Sequence, residues 1–376
     1  MKILLMTKSL GGEGVGGIET FTINFANKLA DMGHQVIIAA EGGILEKKLD
    51  RKVEFYNVNY NLFNFIQFYK SIYLIKKIIK ERKVDVVHSF SANSSIVGYI
   101  AAKFFRKPKV VIIGTPMGLK NSPNEFSLKT FLKNICFVLF SDKLLAISGE
   151  IKKALIKAGA NPNKITDFNI IGLDLLKYNI SEHNGNTFRK EINVGKDVPI
   201  ITTIGMLHPR KSHELFIKAA NIVSKTVSPI KFVIVGDGPL RNELEILSEE
   251  LNIKDKIIIT GIRLDLQNIL SATNIYVRPG ILEGFCGISL LEAMAMYKAS
   301  ICFDTHDTRE VIINNINGII VPNGDVNKLA EAIIYLLKNK DKAKEIGVEA
   351  RRTIEKRYDF DNIFNELLNY YKKFSN

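Results

Sequence analysis

The residues best suited to chemistry lie between Pro279 and Met296, in the run PGILEGFCGISLLEAMAM. A strand end leads there through a glycine-containing loop into a helix, with Glu292 in the early part of that helix. Amides at a helix start point outward and carry roughly half a positive charge behind them, so Gly287, Ile288 and Ser289 can receive phosphate or sugar oxygens. Glu292 is then placed to accept ribose hydroxyls, or else acts as a capping carboxylate. This spacing suits a nucleoside diphosphate. A second candidate, Gly12-Glu13-Gly14-Val15-Gly16-Gly17, matches G-x-G-x-x-G after a strand, and Glu41 stands where a ribose-binding acid of a dinucleotide site would. Against a nicotinamide site, Thr7, Lys8 and Ser9 separate the strand from the first glycine, whereas that fingerprint needs a tight turn. The other reading has Gly16 and Gly17 opening a helix beneath a permissive glycine loop, whose N–H groups approach a phosphate or an acceptor. A plain flexible connection is the third.

Other reactive residue types are sparse. His88 follows the strand VDVV, where it is either a proton-exchanging cleft residue or a satisfied structural one. Asp359-Phe360-Asp361 is the sole Asp-x-Asp, and it stands before the final helical segment as a cap region, so no metal is expected. Cys136, Cys286 and Cys302 are too widely spaced for a zinc pattern and too few for a disulfide framework, which predicts buried thiols.

These residues need elements to hold them. The apolar run at residues 3–6 shows no alternation, as in a strand buried on both faces, and Phe21, Phe25 and Leu29 follow at helical spacing before VIIAA at 36–40. That is one strand-helix-strand unit. Strands at 84–90, 110–113 and 143–148 continue the series. A polar interval from Ser181 to Asp197 then breaks the rhythm, after which strands are predicted at 199–205, 230–236, 256–261, 274–279, 299–303 and 318–322. The expected fold is α/β: two tandem Rossmann-like domains with doubly wound parallel sheets and a cleft between them. The expected bounds are 1–180, 181–355, and a last helix, 356–376.

Composition agrees with a globular chain of 376 residues, 46% hydrophobic and 24% charged. Only four apolar residues separate Lys2 from Lys8, too few for a signal-peptide core, so a cytoplasmic location is expected. Charge is uneven. Residues 1–180 carry 26 Lys and Arg against 14 Asp and Glu, while residues 181–376 carry 26 against 25. A basic first half fits an anionic partner such as a membrane leaflet or a lipid-linked phosphate, or it reflects compositional bias. Its basic residues lack the aromatic interleaving of a nucleic-acid platform, so no nucleic acid is expected.

Taken in order, IGMLHPRKSHELFIKAA, FVIVGDGPLRNELE, KIIITG, EGFCGISLLEAMA and the REV–NGIIVP segment from Arg309 to Pro322 resemble the retaining glycosyltransferases of family 4 (glycosyl transferases group 1), with GGIE, DVVHSF and LLAIS adding looser matches. The resemblance spans nearly the whole chain and implies the GT-B fold, with the last helix, 356–376, crossing back to the N-terminal domain. It implies a nucleotide-sugar donor as co-substrate, with no further cofactor and the UDP, GDP or ADP base left open. The acceptor would be a glycan or lipid-linked hydroxyl in cell-surface polysaccharide or lipopolysaccharide synthesis. Lys211 matches the lysine at the donor diphosphate and Glu292 the glutamate at the donor ribose. Gly236, Gly238 and Pro239 match the glycine turn beside the nucleotide. Gly261, Ile262 and Arg263 match the segment flanking the base, and the loop Glu283-Gly284-Phe285-Cys286 runs along the donor sugar. Lys211, Glu283 and His88 form the implied catalytic set.

Three departures stand out. Met206 replaces an arginine that joins the lysine in many members, and Arg210 or Arg278 is the nearby substitute. Eight residues rather than seven separate Glu283 from Glu292, as if Cys286 were inserted. Met117 in Thr115-Pro116-Met117-Gly118 occupies the place of a histidine near the donor sugar. A front-side retaining mechanism, in which the leaving phosphate takes the acceptor's proton, needs no such histidine. A nucleotide-sugar epimerase of the same fold, a nicotinamide oxidoreductase and a non-catalytic nucleotide-sugar-binding protein are the alternatives.

Finally, Phe65, Phe68, Ile72, Ile75 and Ile79 recur at helical spacing, with Lys76, Lys77 and Lys80 nearby. That stripe reads as a helix packed on its own sheet, or as peripheral attachment to an anionic membrane at its inner face.

Overall fold

The computed structural model describes residues 1–11, 17–103, 110–116, 127–169, 171–281 and 287–374. They form two units, one of Met1–Gly172 with Phe360–Asn376, the other of Leu173–Asp359. Unit 1 contains β1 (Lys2–Ser9), β2 (Gln35–Glu41), β3 (Glu54–Asn57), β4 (Val86–Ser89), β5 (Val111–Gly114), β6 (Lys143–Ala146) and β7 (Ile165–Asp167), in the spatial order β3-β2-β1-β4-β5-β6-β7. Every pairing is parallel. Between the strands run α1 (Gly17–Asp31), α2 (Phe65–Arg82), α3 (Ala92–Lys103), α4 (Leu128–Leu139) and α5 (Gly149–Lys157).

The unalternating run in β1 is explained by its two helical layers. Ile3 and Leu5 join the cluster of Phe25, Leu29 and Phe364, whereas Leu4 and Met6 join that of Ile75, Ile79 and Val97 on the other face. Each fully buried side chain of this size contributes about 1.5–3 kcal/mol. The stripe Phe68, Ile72, Ile75 and Ile79 of α2 therefore faces its own sheet, and Phe65 alone of the five stands well out in solvent.

Unit 2 contains β8 (Ile200–Ile204), β9 (Lys231–Val235), β10 (Ile257–Ile259), β11 (Ile275–Arg278), β12 (Ala299–Phe303) and β13 (Ile319–Val321), in the order β10-β9-β8-β11-β12-β13 with parallel pairings throughout. Its helices are α6 (Gly185–Glu191), α7 (His213–Thr226), α8 (Arg241–Glu250), α9 (Leu266–Ala272), α10 (Ile288–Ala295), α11 (His306–Val311), α12 (Val326–Lys338) and α13 (Lys340–Arg357). The strand order reverses between β8 and β11, and ligands of such sheets gather beyond the strand C-termini at that point. Two Rossmann-like parallel-sheet domains in tandem are thus present as expected.

The polar interval 181–197 is not a linker. Phe188 is buried in unit 2, and the Arg189 guanidinium donates to the carbonyl oxygens of Gly195 (2.9 Å), Val198 (2.8 Å) and Ala272 (2.9 Å), tying the segment to the sheet. The chain changes units at Leu173 and again at Phe360. The last helix, α14 (Phe360–Lys372), belongs to unit 1 and buries Ile363, Phe364, Leu367, Leu368 and Tyr371.

Candidate functional site

The segment leaving β8 carries Lys211. It makes a short 3₁₀ turn, Pro209–Lys211, whose Arg210 N–H donates to the His208 ring. Ser212 then takes a left-handed conformation (φ 50°) before α7 begins. A non-glycine residue there is uncommon, and such strain is held only where the surroundings over-determine it. The turn sends the Lys211 stem over Gly205: a Cβ at 205 would meet Lys211 Cδ at 3.4 Å and Cε at 3.5 Å.

The segment leaving β9 packs tightly on the same turn. Gly236 (φ 146°) and Gly238 (φ 158°) come so close that an added Cβ would lie 2.0 Å from the Gly205 carbonyl oxygen and 2.6 Å from that of Leu207. Gly205 N–H donates to Val235 O and Leu207 N–H to Asp237 O, which locks the two turns together. Pro239 follows, and Gly236 N–H reaches Gly261 O at 2.9 Å. Glycine is required here by both the backbone angle and the contact.

Between β8 and β11 opens a small recess lined by Lys211, Thr203, Arg278, Pro279, Gly280 and Ser289 among others. Lys211 and the start of α10 therefore share one recess at the switch point. Ser289 sits in the first turn of α10, its hydroxyl receiving a hydrogen bond from Tyr276 Oη (3.0 Å) and donating to Ile204 O (3.2 Å). Ile288 is partly exposed beside it, and Gly287 is the N-cap. The Thr203 hydroxyl is buried and finds no partner among the described residues. A cation and helix-start amides converging on one recess can hold a phosphate.

Glu292 lies one turn further along α10, partly buried, and accepts a hydrogen bond from Tyr178 Oη at 2.7 Å. Burial pushes its carboxyl above the ordinary range, against a smaller downward pull from the Tyr178 hydroxyl. Tyr178 escaped the sequence reading because it lies in a run assigned to the other domain, without periodicity around it. Arg278, a suggested stand-in for the arginine absent at Met206, is buried and engaged by Asp307 and by Thr308 Oγ1 (2.9 Å). Arg210 and Met206 are both exposed.

At the proposed base segment, the Arg263 guanidinium is occupied by Glu191 and Asp265 and stacks over Phe188. Those two carboxylates raise its pKa, Asp265 contributing first. Its neighbour Ile262 is 78% exposed, so any contact with a base here would come from backbone or from this apolar side chain.

In unit 1, His88 is fully buried. Its Nε2 pairs with Thr115 Oγ1 at 2.6 Å and its Nδ1 with Tyr371 Oη of α14. Burial drives its pKa down to about 3. With both ring nitrogens satisfied inside the core, the geometry favours the structural histidine over a proton-exchanging one. Gly17 begins α1. Gly16, Met117, Glu283, Gly284, Phe285 and Cys286 lie outside the described residues. Cys302 is buried and Cys136 half-buried, and neither is part of a disulfide.

Two family models cover the chain: Glycosyltransferase Family 4 matches residues 15–166 and Glycosyl transferases group 1 matches residues 185–353. A UDP-Gal:alpha-D-GlcNAc-diphosphoundecaprenol alpha-1,3-galactosyltransferase of Escherichia coli is 28% identical over 317 residues, covering 81% of this chain and 80% of that protein. The crystal structure of a glycosyltransferase from Rickettsia africae ESF-5 superposes with a TM-score of 0.87 at 25% identity, over 99% of this chain and 98% of that one. Anabaena Alr3699/HepE in complex with UDP shares the fold, with a TM-score of 0.82 at 19% identity over 99% and 100% of the two chains.

Proposed function

This chain belongs to the retaining glycosyltransferases of family 4, and on that premise we propose that it moves a sugar from a uridine diphosphate donor, held by unit 2, to a hydroxyl of a lipid-linked glycan taken up by unit 1. The observation that carries this reading is the recess where Lys211, Pro279, Gly280 and Ser289 of α10 meet. Cleaving a glycosyl–phosphate bond leaves negative charge on the diphosphate. A cation and oriented amides therefore favour the transition state over the ground state. Glu292 would accept from the ribose hydroxyls, and the close-packed turn at Gly236 and Gly238 would let backbone approach the nucleotide. Gly261 to Arg263 would flank the base. Glu283 to Cys286 keep their proposed place along the donor sugar, and Gly16 and Gly17 theirs near the phosphate or the acceptor. The uridine base and the lipid-linked acceptor are read from the relatives, one named for UDP-galactose and a diphosphoundecaprenol acceptor and one bound to UDP.

The test offers purified protein UDP-, GDP- and ADP-sugars with a short-chain diphospholipid-linked N-acetylglucosamine acceptor. Acceptor-dependent UDP release is expected. Release of GDP or ADP alone, or consumption of NADH, would remove the proposal.

An acceptor of this kind sits in a leaflet, and we propose that unit 1 works at the anionic inner face of the membrane. While one stripe of α2 is buried, Ile66, Tyr69 and Tyr73 form a second, exposed apolar face, joined by Phe63 and Phe65 at the helix start. On α4, Leu128, Leu132 and Leu139 are exposed as well. Lys70, Lys77 and Lys80 accompany the first group and Lys129 and Lys133 the second, all exposed. Apolar side chains rimmed by lysines suit the headgroup boundary of an anionic bilayer. Among the described residues no helix is long and apolar enough to cross a membrane. Co-sedimentation with phosphatidylglycerol vesicles is expected at low salt, falling as salt rises. Each lysine near the surface adds about 1 kcal/mol, so Lys70→Gln with Lys77→Gln should lower partitioning at least about tenfold. Equal binding to neutral phosphatidylcholine vesicles would count against an electrostatic attachment.

A further inference from the structure

We propose that Tyr178 is the positioning residue for Glu292, its phenol fixing one carboxylate oxygen so that the other is left to accept the donor's ribose hydroxyls. The inference rests on the reading of Glu292 as the ribose acceptor. Tyr178 is buried and ends a 3₁₀ turn, Leu175–Tyr178, just after the chain enters unit 2. Its Oη stands 2.7 Å from Glu292 Oε1. The neighbouring Gln267 side chain on α9 makes a smaller contribution in the opposite sense, favouring the phenolate. Because a carboxylate oxygen can only accept, the phenol's own hydrogen is directed at Glu292.

The distance between the two partners is set by a third residue. Arg351 on α13 donates through Nη1 to Tyr178 O (2.9 Å) and to Ala295 O (2.8 Å), so one guanidinium ties the tyrosine's backbone to the C-terminal end of α10. Arg351 is held in turn by Glu355 at 2.7 Å and lies over the Tyr297 ring. A cation at the carbonyl end of α10 also suits the helix dipole. The outcome is a carboxylate on a rigid helix, oriented by a donor that spans two segments.

A half-buried carboxylate without this donor would favour its protonated form, which gives rather than accepts a hydrogen bond. Burial already raises the Glu292 pKa and Tyr178 lowers it, so removing the hydroxyl raises it further. A function that needs the ionised form is then lost at a higher pH as the medium is acidified.

The experiment measures kcat and KM for the donor in Tyr178→Phe from mildly acidic to mildly alkaline pH, with the melting temperature as a check on folding. A hydrogen bond to a charged group is worth about 1.5–3 kcal/mol, so donor KM should rise roughly tenfold or more, with kcat nearly unchanged. The acid limb of kcat/KM should move to higher pH. In a Glu292→Gln background Tyr178→Phe should add nothing, whereas an additive effect would mark a purely structural role and overturn the proposal. If Glu292→Gln raises KM but Tyr178→Phe moves neither KM nor the acid limb, the positioning role fails and the ribose reading stands. If Glu292→Gln leaves donor KM unchanged, both fall.

Discussion

Lys211→Ala should lower turnover by about two to three orders of magnitude while leaving the fold intact, the size of loss typical when one preorganised donor to a developing oxyanion is removed. The two halves of this expectation have separate grounds. Lys211 is only partly buried, its stem covers Gly205, and it contributes to none of the hydrophobic clusters, so its truncation opens no cavity. Its place in the lining of the recess, with Pro279, Gly280 and Ser289 of α10, is what makes it costly to lose in the reaction. Lys211→Arg should recover activity incompletely, because a planar fork does not reproduce a compact ammonium on a flexible stem. Single-turnover rates with saturating donor separate this effect from a binding defect. Near-normal turnover in Lys211→Ala would take the leaving group elsewhere.

Asp307→Ala should destabilise unit 2 by about 3–5 kcal/mol in urea unfolding, the usual cost of removing one partner of a buried ion pair. The side chains of Arg278 and Asp307 are only 4% and 8% exposed. Thr308 Oγ1 satisfies one guanidinium N–H, but a hydroxyl supplies no counter-charge. Since Arg278 also lines the recess, its displacement should raise the donor KM as well. Replacing both partners with apolar residues of similar volume, Arg278→Met with Asp307→Leu, should recover much of the stability but not the affinity. A loss below about 1 kcal/mol for Asp307→Ala would mean that Asp307 is not the principal counter-charge of the guanidinium.

The central strands were legible because a strand covered on both faces is apolar without interruption, as in Ile3 to Met6 and Val36 to Ala40. β3 and β7 were not, and both are edges of their sheet. The EFYN and ITD segments are short and half-exposed, so no apolar run announces them. The apolar stripe of α2 was read correctly, but spacing alone does not reveal that the opposite face carries Ile66, Tyr69 and Tyr73. At the site, the start of the helix that carries Glu292 followed from glycine placement, whereas Lys211 entered only through resemblance to a family. Tyr178, Arg351 and Asp307 were invisible because each acts on a partner more than 25 positions away, through contacts that no local pattern encodes. His88 was ambiguous for the same reason: its partners, Thr115 and Tyr371, are brought to it by other elements.

The chain leaves unit 1 at Gly172 and returns to it only at Phe360. On the ribosome, the pocket around Phe25 therefore stays open while all of unit 2 emerges, until Phe364 and Tyr371 arrive to fill it. Unit 2 is uninterrupted and can close first, so folding finishes in the reverse of the order in which the units begin to be translated. The interval leaves a greasy surface waiting in the cell, which is the period in which a nascent chain most needs a chaperone.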